Sequence, residues 1–152
     1  MIIDRDSGYK DFMANVQKMV NEPHVKVGIL GTSGRESVEG GFTVVDIASV
    51  NEFGSESRKI PERSFIRSTI DTRRNRIWGY AYKMMGLYIE GKITIDQALG
   101  RIGELVKSNI LQTINDFTSP ANAPSTIAKK GSSHPLIDTG RMKGAINYEV
   151  TK

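Results

Sequence analysis

Thr94-Ile95-Asp96-Gln97-Ala98-Leu99-Gly100-Arg101-Ile102-Gly103-Glu104-Leu105-Val106 is the stretch that decides the fold. Thr94 followed three residues later by Gln97 is a capping box, in which each side chain serves the other's backbone N–H at a helix start. Ile95, Ala98, Leu99, Ile102, Leu105, Val106 and Ile110 recur every three or four residues. That spacing predicts an amphipathic helix ending near Phe117. Upstream, Pro61 stands at a natural helix start, with Glu62 at the positive end of the dipole. Phe65, Ile66, Thr69 and Ile70 open a second apolar stripe, which resumes at Ile77, Ala81, Met84, Met85 and Tyr88. Gly79 and Gly86 weaken this helix and mark a break or kink, and Gly91 ends it. Two long helices joined by the short Glu90–Ile93 turn pack as an antiparallel hairpin.

Working outward, both flanks carry strands. Val25, Val27 and Ile29 alternate with His24, Lys26 and Gly28, and the strand reading extends to Leu30. Ile146, Tyr148 and Val150 alternate with Asn147, Glu149 and Thr151. These two strands share one small sheet covered by the helix hairpin, an α+β architecture. Before them, Tyr9, Phe12, Met13, Val16, Met19 and Val20 form a helical stripe, with Ser7 as N-cap and Pro23 stopping the helix beyond Asn21. Phe42, Val44 and Val45 read as a short strand or extended entry, followed by a helix over Asp46–Phe53 with Gly54 as a left-handed cap. Ser55–Ile60 is a polar loop. Thr139 is the N-cap candidate of a short helix over Gly140–Gly144.

The chain of 152 residues fits a single domain, 1–152, with two polar extensions. Gly31–Gly41 is glycine-rich and polar, and Thr118–His134 is rich in Ser, Pro, Asn, Ala and Lys with one helical turn at Ser125–Lys130. Gly31–Gly41 reads as a free surface loop, a flexible hairpin or insertion, and Thr118–His134 as a long arm; both hold too few apolar residues to fold onto their own core and are suited to ordering on neighbouring subunits. Composition is 38 % hydrophobic and 25 % charged, that of an ordinary soluble globular protein. No apolar run is long enough for a transmembrane helix, and the first residues show no signal-peptide pattern.

Catalytic patterns are missing. With Cys 0, thiol catalysis and disulfides are excluded. The two histidines, His24 and His134, lack metal-ligand spacing, and Gly31–Gly41 fits neither a P-loop nor a dinucleotide fingerprint. No Gly-x-Ser-x-Gly elbow occurs. Asp46, Glu52 and Asp138 have no evident partner, and cap or turn roles suit such acids better. The chain is therefore read as a non-enzyme without cofactor or metal.

Charge is uneven. Residues 1–60 hold 7 Lys/Arg against 9 Asp/Glu, while residues 61–152 hold 14 against 8. Arg73, Arg74 and Arg76 cluster on the first long helix, and Arg63, Arg67 and Lys83 extend the row. Such a row suits phosphates, or an exposed salt-bridging face between subunits. Little aromatic residue interleaves it for base stacking. Trp78, the only tryptophan, reads as a core or interface anchor.

Three segments carry a family resemblance: Asn51-Glu52-Phe53-Gly54, Ile60-Pro61-Glu62-Arg63-Ser64-Phe65-Ile66-Arg67, and Pro135-Leu136-Ile137-Asp138-Thr139-Gly140-Arg141-Met142. In this order, with the early helix, valine-rich strand and helix pair, they resemble the phage head–tail joining and tail-completion family, the neck proteins of long-tailed phages. Thr126–Gly131, with Lys129 and Lys130, is similar to the family's segment before its last motif. Ser64 departs from the family's usual proline. The resemblance implies a structural virion protein of the neck, made in the host cytoplasm. It would form a sixfold ring with itself and dock on head-connector, tail-terminator or tail-tube proteins. DNA would pass non-specifically through its lumen. Leu136–Gly140 would then fix the 118–134 arm to the core. The alternative is a nucleic-acid-binding module using the basic helix.

Overall fold

A computed structural model describes residues 9–18, 23–38, 40–137 and 139–151. Among these the element order is α1 (Tyr9–Lys18), β1 (His24–Ile29), α2 (Gly31–Gly34), α3 (Val44–Phe53), α4 (Phe65–Ile89), α5 (Ile95–Asp116), α6 (Pro124–Lys130), α7 (Arg141–Gly144) and β2 (Ile146–Thr151). The proposed cap Ser7, the stripe residues Met19 and Val20, and Asp138 lie outside the described residues.

The fold is α+β: the antiparallel pair α4–α5 packs against a two-stranded antiparallel sheet, β1–β2. α5 is the centre, touching α4 on one side and both strands on the other. Its capping box is formed as the sequence requires. The Thr94 Oγ1 accepts from the Gln97 N–H at 3.2 Å, and the Thr94 N–H donates to Gln97 Oε1 at 3.0 Å. In the sheet Val25 pairs with Val150, Val27 with Tyr148 and Ile29 with Ile146, so these side chains share one face. That face approaches α5 at Gly103, where a Cβ would lie 2.6 Å from the Tyr148 ring and 2.8 Å from Val25. Only glycine allows this contact.

The main core is built on Val44, Phe65, Ile110 and Ile114, all fully buried, with Leu136, Met142 and Ile146 closing it. Burying each large side chain contributes roughly 1.5–3 kcal/mol. A second cluster around Met84, Tyr88 and Ala98 fills the far end of the hairpin. There the Tyr88 hydroxyl donates to the Asn15 carbonyl at 2.5 Å, latching α1 onto α4. Burial pushes the Tyr88 pKa up.

Several expectations need correction. α4 begins at Phe65, not Pro61, because residues 61–64 run extended to meet α3. It runs unbroken through Gly79 and Gly86, although each glycine costs about 1 kcal/mol relative to alanine. α3 begins two residues earlier than expected, since a Thr43–Asp46 capping box starts it and leaves no strand at 44–45. Gly54 has φ 73 and ψ 179, which is not the left-handed helical cap. The cap of α7 is Gly140, not Thr139, and no side chain bonds to it. The apolar stripe of α1 is only partly covered, as Phe12 and Met13 are exposed. The 31–41 segment is not a free loop. It forms α2, seats Gly34 under Val45 and Ile29, and is closed by a bridge between Ser37 and Thr43.

Candidate functional site

Glu52 closes α3, where an acid faces the unfavourable end of its own helix dipole. The side chain turns instead to the start of α4, and the residue is only 5 % exposed. Glu52 Oε2 accepts from the Ile66 N–H at 2.9 Å, and Oε1 accepts from the Arg67 N–H at 2.9 Å and the Ser64 hydroxyl at 3.1 Å. Ser64, at the N-cap position, makes no capping bond of its own. A carboxylate from α3 thus satisfies two of the orphan donors of α4 and meets its positive dipole end. The Arg67 guanidinium adds bonds to Glu52 Oε1 at 3.3 Å, the Glu52 carbonyl at 3.0 Å and Glu62 Oε1 at 2.7 Å.

Arg63 completes this junction. Its N–H donates to the Asn51 carbonyl at 2.6 Å, and its guanidinium donates to the Pro120 carbonyl at 2.9 Å and the Ala121 carbonyl at 3.0 Å. The residue is 6 % exposed, and burial lowers its pKa from the ordinary value. Gly54 lets the chain turn here: a Cβ would stand 2.9 Å from the Glu62 nitrogen and 3.1 Å from the Ile60 carbonyl oxygen. Pro61 is exposed on the extended run.

The third motif joins the same core. Leu136 packs in one cluster with Val44, Ala48, Phe65 and Met142. The 118–134 segment, expected as an extended arm, is anchored at both ends. Arg63 holds Pro120 and Ala121. The buried Asn122 donates to the His134 carbonyl at 3.1 Å, and His134 Nε2 lies 2.9 Å from the Asn115 carbonyl. Lys129 is exposed on α6, whereas the Lys130 side chain lies outside the described set. Thr139 is exposed.

The basic row divides. Arg63 precedes α4 and is buried, Arg67 is bound to carboxylates, and Arg73 bridges to α5 through Asn109 Oδ1 and Gln112 Oε1, both at 2.9 Å. Arg74, Arg76 and Lys83 are exposed, and no hydrogen bond or ion pair engages their side chains among the described residues. Beside them Trp78 is 56 % and Tyr82 73 % exposed, with ring centroids 6.2 Å apart. Aromatic residues therefore do accompany the free cations, which sequence reading missed. The signal was Arg74, Trp78 and Tyr82 at i, i+4, i+8 on one helix face.

Exposed apolar residues also lie on α3, on different sides of the helix. Phe53 is 64 % exposed, with Val45 and Ile47 also exposed along the helix. Arg67 stands 5.0 Å over the Phe53 ring and Arg58 4.7 Å over Phe42. Phe53, Glu56, Ile60, Pro61 and Glu62 line an open cleft of about 570 Å³. Asp46 serves as a cap: the Thr43 N–H and hydroxyl donate to its Oδ2 at 2.8 and 2.7 Å and lower its pKa. No group of three or more His, Cys, Asp or Glu is placed to hold a metal ion among the described residues.

No family model, curated protein or solved structure matches the chain.

Proposed function

We propose that this chain is a structural assembly protein of the phage neck, joining the head connector to the tail by oligomerisation and docking. The observation that supports the reading is convergence. Of the three segments that carry the family resemblance, the first two are near neighbours in sequence and the third lies far along the chain, yet all meet where α3, the start of α4 and α7 share one core. Their polar groups are spent on holding the fold: Glu52 caps a helix, and Arg63 ties down a distant segment. What remains outward is aromatic and charged surface of the kind protein interfaces use. Copies of the chain form a ring, sixfold by the family pattern, on which connector, tail-terminator or tail-tube proteins dock while DNA passes through the lumen.

Native mass spectrometry and negative-stain imaging test this, with the chain alone and mixed with connector and tail-tube proteins. Rings, or complexes with either partner, are expected. Monomers alone in every mixture would overturn the reading.

The free Arg74, Arg76 and Lys83 favour a second reading, a module that binds nucleic acid through α4. Salt-dependent DNA binding lost in the Arg74→Ala/Arg76→Ala variant would support it, and no binding at low salt would remove it.

A further inference from the structure

Apolar side chains occupy two sides of α4. Phe65, Met84 and Tyr88 are buried on its inner side. Asn75, Trp78, Tyr82, Met85 and Ile89 follow one another at steps of three, four, three and four residues. At 3.6 residues per turn they fall within about 80° of arc on the outer side. That is the spacing of a coiled-coil seam, with Asn75, Tyr82 and Ile89 at one core position and Trp78 and Met85 at the other. Trp78 is 56 % and Tyr82 73 % exposed, while Met85 and Ile89 are half-buried. A helix apolar on both sides is one covered on both sides, and this spacing fits a second helix as the cover. Arg74 borders the seam, but Arg76 and Lys83 stand roughly 130° round the helix from its middle. A polyanion held by those two would leave the rings bare.

Charges at the two ends of the seam choose the helix and its direction. Asp71 and Arg74 border one end, and Glu90 and Lys92, ion-paired at 2.6 Å, stand just beyond the other. In an antiparallel pair of α4 helices centred on position 80, Trp78 of one copy meets Tyr82 of the other, and Asn75 meets Met85. The same alignment sets Arg74 beside Glu90 and the negative dipole end of the opposing helix, and Asp71 beside Lys92. A parallel pair would set Arg74 against Arg74 and Asp71 against Asp71. Gly79 of each copy falls next to the other at the twofold axis, with Gly86 opposite Thr72. A Cβ at either glycine would meet nothing within 4 Å, so packing inside one chain requires neither, and both leave the backbone open to a close approach.

We propose that α4 is the contact of a symmetric dimer, in which the 75–89 seam of one copy packs antiparallel on the same seam of a second copy. Such a contact is isologous and closes at two copies. It goes beyond the neck reading and does not rest on it, since a ring needs a further surface. The four rings, each more than half exposed, cover about 350–700 Å² in all, against roughly 1,200 Å² at the low end of standard interfaces. Met85 and Ile89 add less, so the dimer is weak and reversible.

The chain has no cysteine, so crosslinking reads the alignment directly. Asn75→Cys/Met85→Cys should oxidise to a covalent dimer and stop there. Each single variant should stay unlinked, because like positions lie about 15 Å apart along the axis, too far for a disulfide. Sedimentation equilibrium of the wild type should show a reversible dimer at concentrations on the order of 100 µM, with Trp78 emission shifting to the blue as it forms. Trp78→Ala should weaken pairing roughly 30-fold, with the circular dichroism melt unchanged at a concentration where the wild type is monomeric. Tyr82→Ala repeats the test if Trp78→Ala does not fold. Arg76→Ala/Lys83→Ala lies off the seam and should leave pairing unchanged. Self-linking of Asn75→Cys alone would overturn the proposal in favour of a parallel pair, and a ladder beyond two in favour of a head-to-tail contact. A dimer indifferent to both ring variants overturns it, as does a chain still monomeric at about 1 mM. In the monomeric case, quenching of Trp78 by an oligonucleotide would name nucleic acid as the occupant. Ring formation with connector and tail-tube proteins is read in separate mixtures and decides the neck reading on its own.

Discussion

The start of α4 and its middle carry similar residues to opposite ends. At the start, Arg63 and Arg67 are engaged by carbonyls and carboxylates, and the aromatic residue Phe65 is wholly buried. About two and a half to five turns on, Arg74, Arg76 and Lys83 are exposed, with Trp78 and Tyr82 exposed beside them. One helix thus serves as a structural post at one end and an open face in its middle. A cation's neighbours in space, and not its place in a basic row, decide which it does.

Substitutions can break this contrast. The largest loss of stability is expected for Glu52→Ala, which strands two backbone donors and the Ser64 hydroxyl. The cost is about 3 kcal/mol, allowing for the partial exposure of Arg67, and thermal unfolding should fall by roughly 6–12 °C. Arg63→Ala should cost about 2 kcal/mol by freeing the carbonyls of Pro120 and Ala121. Limited proteolysis should then cut within 118–131 faster than in the wild type. Unchanged cleavage would show that the segment is held by other means.

In the middle of α4 the sign reverses. Gly79→Ala should stabilise by up to about 1 kcal/mol, because helix propensity improves and nothing obstructs the methyl group. The same variant should hinder any partner that lies close against the backbone there. Denaturant melts compared with sedimentation velocity separate the two effects. Arg74→Ala/Arg76→Ala should change stability by no more than about 0.5 kcal/mol, as befits side chains without partners.

The smallest effect is electrostatic. The Thr43 donors hold the Asp46 carboxyl below its ordinary value of 3.8. A depressed pKa contributes stability above the unfolded value, and that contribution is lost as pH falls through the folded value. The first turn of α3 should fray only in acid below about pH 4, as seen in exchange of the Asp46 amide. Fraying near neutral pH would show that the capping box does not form.

Much of the fold was legible because it is locally encoded. Thr94 and Gln97 start α5 at Ile95 by neighbours three residues apart, and the alternation in β1 and β2 shows one buried face. The errors fall where distant groups intervene. Pro61 looks like a helix start, yet Asn51 and Glu52 of another helix hold 61–64 extended and cap α4 later. The 118–134 segment looks unsupported, yet Arg63 reaches it across 57 residues of sequence. Gly79 and Gly86 suggest a break, but the packing of α4 on α5 outweighs two weak positions. Of the candidate site, the motif residues were readable and their roles were not. Glu52 gave one unread signal, an acid at a helix end where its own dipole disfavours it.

The pairing of β1 with β2 has a kinetic consequence. His24 meets Thr151, so the sheet closes nearly the whole described chain into one loop. The α4–α5 hairpin, by contrast, is made of contacts close in sequence. Closing a long loop costs entropy before any contact rewards it, so the hairpin is expected to form first and the sheet to register late, an order that φ-values at Ile110 and Val27 would check. Its landing place is the notch at Gly103. Filling that notch with Gly103→Ala removes the seat on which the two strands come to rest, and the register of the sheet is the first thing such a chain should lose.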